Sequence, residues 1–286
     1  MPYVTSEKML KDAQEGGYAI GAFNVENMEM AMAIIAAAEE LHAPVMLQTT
    51  PSTVKYASLA LYYANVKALA DKASVPVALH LDHGSSFELA RDAMNAGYSS
   101  VMIDGSKESL DGNIAVTKRV CDEVQGRVPV EAELGTVGGK EDSTVATGTA
   151  YTDPDDAVRF VRETGCSSLA VGIGTAHGVY VGVPVLDVDR LTLIRKKLEA
   201  AGCSIPLVLH GASGLSEKAV KDCIREGICK VNFATELRQA YTTGVKEVLQ
   251  KDPDVFDPKK YGKVAMEKVK EAVKCRIRVC GSDGKA

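Results

Sequence analysis

Tryptophan is absent from the 286-residue chain, and aromatic residues make up only 5% of it. The formal net charge is -5, and no stripe of Lys and Arg stands out. Together these argue against a nucleic-acid partner. No CxxC pair occurs: the seven cysteines lie at 121, 166, 203, 223, 229, 275 and 280. An odd count in a long chain points to reduced thiols in a cytoplasm rather than a disulfide framework. Their spacing matches no zinc finger, so they read as small buried fillers. Long apolar runs are also missing. The first 20 residues lack the run that a signal peptide or a membrane span needs. The most apolar helical stretch, MAMAIIAAAEEL (Met30 to Leu41), is too short to cross a bilayer. A cytoplasmic protein with no membrane partner is expected.

What the chain has is rhythm. Short β-branched runs recur: AIGAFNV (19–25), PVMLQT (44–49), PVALHLD (76–82), SVMIDGS (100–106), VPVEAEL (128–134), SLAVGIG (168–174), PLVLHGA (206–212) and ICKVNFA (228–234). Stretches such as SFELARDAMNAG and SEKAVKDCIREG follow them, with apolar residues every three or four positions. Gly97, Gly165, Gly202 and Gly227 sit where helices should stop. Near-continuous apolar strands alternating with helices indicate a parallel sheet under a helical layer. Eight units predict a (β/α)8 barrel, an α/β fold, as a single domain over 1–286; a doubly wound open sheet is the alternative. Two stretches break the pattern. Residues 135–152, rich in Gly and Thr, are too long for an ordinary connection and are expected to form a mobile lid over the site. Thr175 to Asp187 is the second. Residues 255–286 read as a C-terminal helical extension for packing or oligomerisation.

In such a barrel, polar side chains at the C-terminal ends of strands mark the active face. Those ends supply Asn24, Asp82, His83, Asp104, Glu131, Glu133, His210 and Asn232, with His177 just beyond the sixth run. Histidine is scarce, with five in all. His83, His177 and His210 stand at three ends far apart in sequence. A lone histidine is usually structural, but three on one rim beside carboxylates suit a metal with an open fourth position, as in catalytic zinc. His42 is taken as structural, and His80 as a buried ring ordering the ligand shell. Asp82, in an otherwise apolar strand, either orients a ligand histidine or acts as a general acid/base. Asp104 and Glu133 are further ligands, partners of the ligands, or a second metal position. HGASGLSEK (His210 to Lys218) and KVNFATELR (Lys230 to Arg238) put small residues before helix starts, where backbone N–H groups bind phosphate. A metal, a carboxylate and a phosphate cradle suit a phosphorylated carbonyl substrate. Asn232 could hydrogen-bond the enediolate left by C–C cleavage. In the lid, Lys140, Glu141 and Asp142 are solvated charges, or Glu141 is a second proton-transfer group.

The motifs LHLDHG, SVMIDGS, VEAELGTVGGKED, GTAHG, LVLHGASG and KVNFATE keep their order from GAFNVEN to the VCGS tail. In this the chain resembles the class II, metal-dependent ketose-bisphosphate aldolases. The resemblance implies Asp82 as proton donor and acceptor and His83, His177 and His210 as Zn2+ ligands. It places Asp104 and Glu133 at an alternative or second divalent site. It implies contacts to dihydroxyacetone phosphate from Gly178, from Gly211, Ala212 and Ser213, and from Asn232, Phe233, Ala234 and Thr235, with Arg238 beside them. It also implies a homodimer or homotetramer and a monovalent cation near the phosphate. Family members cleave fructose 1,6-bisphosphate, its C4 epimer tagatose 1,6-bisphosphate, or an inositol-pathway deoxy-gluconate phosphate. TTPST (Thr49 to Thr53), GTAHG, Ala234 and the VCGS tail lean towards the tagatose type. HGSS and the GKA terminus are shared with the other branches. Three rivals stand. A Schiff-base aldolase would use Lys230 but needs no rim histidines. A zinc hydrolase would place H-x-H on the first strand. A non-catalytic scaffold would have no use for Asp82 beside three histidines.

Overall fold

A computed structural model describes residues 2–141, 144–146, 150–180 and 182–286, excluding the side chains of 140, 141 and 144–146. Its strands are β1 (Ile20–Asn24), β2 (Val45–Thr49), β3 (Val77–Leu81), β4 (Ser100–Ile103), β5 (Val130–Leu134), β6 (Gly138–Glu141), β7 (Thr144–Ala146), β8 (Ser168–Val171), β9 (Ala176–His177), β10 (Leu207–Leu209) and β11 (Ile228–Phe233). Eight of them close into a parallel barrel in the order β1-β11-β10-β8-β5-β4-β3-β2, each inside one of the eight runs read from the sequence. The open-sheet alternative is thereby excluded.

The helices are α1 (Ser6–Gly16), α2 (Met28–Glu40), α3 (Pro51–Ala57), α4 (Leu59–Ala70), α5 (Phe87–Ala96), α6 (Leu110–Val124), α7 (Pro154–Thr164), α8 (Val188–Ala200), α9 (Glu217–Arg225), α10 (Thr235–Lys251) and α11 (Pro258–Cys280). Local chemistry sets their ends. The side chains of Ser86, Ser109, Asp153 and Ser216 accept first-turn N–H groups of α5, α6, α7 and α9. Gly97 and Gly165 are left-handed C-caps, as expected. Gly202 and Gly227 instead lie one residue past the caps, Ala201 and Glu226. Helix α1 is additional to the alternation read from the sequence. Met9, Leu10 and Ala13 of α1 join Tyr18, Ile20, Ala22, Met46, Ala78 and Cys229 in an apolar cluster separate from the larger core between strands and helices. No helix among the described residues is long and apolar enough to cross a membrane, and all seven cysteines are free thiols.

The two irregular stretches pair with each other. Strands β6 and β7 form an antiparallel hairpin inside the expected lid, and β6 pairs with β9 through Gly138–Ala176 and Gly139–His177. Helix α11 buries Ala265, Val269, Val273 and Ile277 at four-residue intervals and packs along α10 and α2. It crosses α10 at Gly244, where a Cβ would fall 2.5 Å from the Cα of Ala265. An alanine ordinarily favours a helix over glycine by about 1 kcal/mol. Here the clash with backbone should reverse the sign: Gly244→Ala is expected to lose about 1–3 kcal/mol, as overpacking does. Denaturant unfolding measures it, and a stabilised variant would contradict the close crossing.

Candidate active site

The end of β3 explains the polar cluster Asp82-His83. Asp82 prolongs the strand: its N–H donates to the Thr49 carbonyl at 2.9 Å. Its carboxylate accepts from Gln48 Nε2 at 3.0 Å and from Asn232 Nδ2 at 3.1 Å. Gln48 also donates to Asn24 Oδ1 at 2.7 Å. His83 then turns into the left-handed region, with φ at 47°, a conformation costly for a non-glycine residue and concentrated at functional sites.

Its ring meets two others from distant parts of the chain. The His83 and His210 ring centroids are 4.6 Å apart, His83 and His177 5.0 Å, and His177 and His210 6.1 Å. One donor nitrogen from each lies within 4.8 Å of the others. The outer nitrogens are anchored by anions. His83 Nδ1 lies 2.9 Å from Asp104 Oδ2. His210 Nε2 lies 2.9 Å from Glu131 Oε1. Burial alone would raise the Asp104 carboxyl, but the contacts with His83 and Ser106 outweigh it and hold it well below the usual range. Glu131 behaves alike, its burial outweighed by Lys230, His80 and His210. An ionised carboxylate only accepts, so the facing nitrogens carry the hydrogens. His83 Nε2 and His210 Nδ1 are left 2.9 Å apart, facing one another. Glu133 Oε2 is buried 3.4 Å from His210 Nδ1, with no hydrogen-bond partner among the described residues. Burial would lower the His210 imidazole, yet Glu131 and Glu133 raise it to about 9. The spot favours positive charge. Two opposed ring nitrogens and a carboxylate oxygen without a hydrogen-bond donor fit a divalent cation shared by the three rings.

Beside the rings opens a pocket lined by Asn24, His177, Gly178, Gly211, Ser213, Asn232, Ala234, Thr235 and Arg238. The first turn of α10 meets it, and Ala234, at the cap, offers no side-chain acceptor. Such a helix start suits an anion. Ser213 Oγ accepts the Ala234 N–H at 3.1 Å, joining the two small-residue loops. Arg238 lines the pocket while pairing with Glu26 at 2.6 Å. Ala212 and Phe233, expected among the substrate contacts, do not line it. Both are fully buried, and the Phe233 ring stacks on Phe23. The side chain of Glu141, and all of Asp142, lie outside the described residues. Lys230, the Schiff-base candidate, is buried against Glu131 at 2.9 Å and does not line the pocket.

Sequence reasoning missed Gln48 and Tyr180. Gln48 pairs in register with Asn24 and His80, so its period-2 position on an apolar strand was the available signal. The Tyr180 hydroxyl accepts the Ala176 N–H at 2.9 Å and donates to the Gly211 carbonyl at 2.8 Å. It thereby ties the His177 segment to the loop after His210. Two close approaches complete the tie: a Cβ on Gly139 would meet the His177 carbonyl oxygen at 2.3 Å, and one on Gly211 the Ala176 oxygen at 2.6 Å.

A closed parallel barrel that gathers three histidines, an adjacent carboxylate and a pocket at a helix start suits a metal-dependent lyase of the aldolase type. The chain belongs to the family described as Fructose-bisphosphate aldolase class-II, which it matches over residues 4–285. It is 42% identical to fructose-bisphosphate aldolases of Staphylococcus epidermidis and Staphylococcus aureus, with 100% of both chains covered. Among solved structures it is similar to the YdjI aldolase of Escherichia coli K12, at 39% identity and a TM-score of 0.88, covering 99% of each chain. Similarity to the Campylobacter jejuni fructose-bisphosphate aldolase, at 24% identity and a TM-score of 0.83 over 99% of this chain and 97% of that one, concerns the fold.

The metal-binding reading makes a direct demand on His177. Its removal takes one of three converging nitrogens, so His177→Ala should retain far less than one equivalent of zinc after dialysis. Elemental analysis measures this, and a full complement would separate His177 from the cluster.

Proposed function

We propose that the protein is a zinc-dependent ketose 1,6-bisphosphate aldolase, cleaving its substrate reversibly to dihydroxyacetone phosphate and glyceraldehyde 3-phosphate. The observation that carries the reading is the convergence of His83, His177 and His210 within reach of one ion at the mouth that also holds Asp82. When bound, the divalent ion supplies a Lewis acid for the substrate carbonyl and its developing negative charge. The rest of the chemistry belongs to the chain. Asp82 takes the proton of the C4 hydroxyl as the C3–C4 bond breaks and returns it in condensation. Gln48 and Asn232 hold its two oxygens in place. Asn232, whose Nδ2 carries a second hydrogen besides the one given to Asp82, hydrogen-bonds the enediolate. The start of α10, with Gly178, Gly211 and Ser213, holds the phosphate next to dihydroxyacetone. Asp104 and Glu133 orient or supplement the imidazoles, and with His83 they form the alternative or second ion position.

For the epimer, the names of the 42% identical relatives support fructose 1,6-bisphosphate ahead of the tagatose preference suggested by TTPST, GTAHG, Ala234 and the tail. Turnover of both epimers, compared side by side, decides it. A higher kcat/KM is expected on fructose 1,6-bisphosphate, and the reverse ranking would reinstate the tagatose reading.

Asp82→Asn should keep zinc and phosphate binding but lose turnover by about 10²–10⁴-fold, the usual worth of a positioned acid/base. Equal turnover by variant and parent would remove Asp82 from proton transfer.

A further inference from the structure

The barrel interior beneath the three rings holds charges that the reaction outlined above does not use. Lys230 and Glu131 are 0% and 2% exposed and sit on different strands. Lys230 Nζ contacts Glu131 Oε1 at 3.1 Å and Oε2 at 2.9 Å. Stability alone does not account for such a pair. Two ions taken out of water lose several kcal/mol of hydration each, and an apolar pair of similar volume is often as stable or more so. Glu131 Oε1 is also the atom that meets His210 Nε2 at 2.9 Å. On its other side Oε2 faces His80 Nε2 at 3.7 Å. His80 is itself turned by Ser100, whose Oγ lies 2.8 Å from Nδ1 and 3.0 Å from the Ser6 hydroxyl of α1.

We propose that the Lys230–Glu131 pair is the positioning device for the metal centre: it locks the His210 ring as the Nε2–H form, so that Nδ1 presents its lone pair to the ion. The proposal rests on the reading of the three histidines as ligands. A neutral imidazole carries its hydrogen on either nitrogen, and the hydrogen bond made by one nitrogen decides what the other can bind. Glu131 accepts and cannot donate, so it selects one form. Lys230 offsets the carboxylate charge and holds both oxygens, which keeps Glu131 from swinging up to become a ligand itself. Asp104 does the same for His83 in mirror sense, bonding Nδ1 and leaving Nε2 for the ion. The two anchored rings therefore use opposite nitrogens.

The test compares the wild type, Glu131→Gln, the double variant Glu131→Leu/Lys230→Met, and His177→Ala. Zn2+ affinity is read by chelator competition, ligand geometry from the visible spectrum with Co2+, and the fold from the melting temperature of the metal-free protein. Both Glu131 variants should bind zinc about 10–100-fold more weakly, the usual loss on removing an outer partner of a ligand. The double variant should recover the melting temperature lost in Glu131→Gln without recovering affinity. A folded double variant with wild-type affinity and spectrum would show that the pair is structural and overturn the proposal. Wild-type affinity in His177→Ala would instead remove the ligand reading itself, and this inference with it. Should neither Glu131 variant fold, 15N spectra of the zinc-loaded wild type give the answer. A proton on His210 Nε2 is expected, and a proton on Nδ1 would refute the assignment.

Discussion

Buried carboxylates at and just beneath the mouth of the barrel are the constraint on which the rest turns. Asp82, Glu131 and Glu133 are each at most 2% exposed, and Asp104 stands beside them. Ionised carboxylates in such surroundings cost several kcal/mol apiece unless something compensates them. Each has a different compensation. Glu131 has Lys230. Asp82 has two amide donors. Asp104 has His83 and the N–H of Ser106. Glu133 is left with one oxygen lacking a hydrogen-bond partner among the described residues, 3.4 Å from His210. The unbalanced remainder falls where the three rings converge. Metal binding at this place is therefore an electrostatic completion of the fold as much as an addition to it.

Backbone fixes the positions of the rings as firmly as charge does. His177 lies on a two-residue strand, and among the described residues that strand is paired with β6 and with no barrel strand. It is held from one side by β6 through Gly139, and from the other by Tyr180 and Gly211. The β6–β7 hairpin, the His177 segment and the loop after His210 are thus joined by hydrogen bonds and close backbone contacts.

Much of this is legible in the sequence for reasons that can be named. Parallel strands buried on both faces show up as continuous apolar runs, so all eight barrel strands can be found within a few residues. Polar residues interrupting those runs have to be expensive, and Asp82, His83, Asp104, Glu133, His210 and Asn232 stand out that way. Helix α1 does not stand out, because only Met9, Leu10 and Ala13, with Ser6, are buried in it, too few for a clear period. The hairpin at β6 and β7 reads as loop because its pairing comes from Gly139 and the distant His177 segment. Gln48 looks like an ordinary strand residue, since its importance comes from Asn24 and Asp82 on neighbouring strands. Phe233 and Ala212 sit in matching motifs, but their side chains serve the core. A motif marks a segment, whereas the alternation of a strand decides which of its side chains reach the site.

The C-terminal helix shows how far packing reaches into function. Residues 255–286 read as a packing or assembly element, and α11 does pack on α2 and α10. It also reaches the first turn of α10, which borders the pocket. Arg276 of α11 holds Glu236 in the first turn of α10 through contacts of 2.6 to 3.0 Å, and its guanidinium lies 5.2 Å from the centre of the Phe233 ring. Both charges are largely shielded from water, which makes the pair stronger than an exposed one. The buried Phe233 precedes Ala234 and Thr235, whose backbone opens α10 towards the pocket. The start of that helix can bind an anion only if its axis stays aimed at one spot. Fastened at Gly244 by close packing and at Glu236 by an ion pair, α10 is held at two points along its length. A helix that adds no residue to the pocket therefore sets the direction in which the pocket's dipole points.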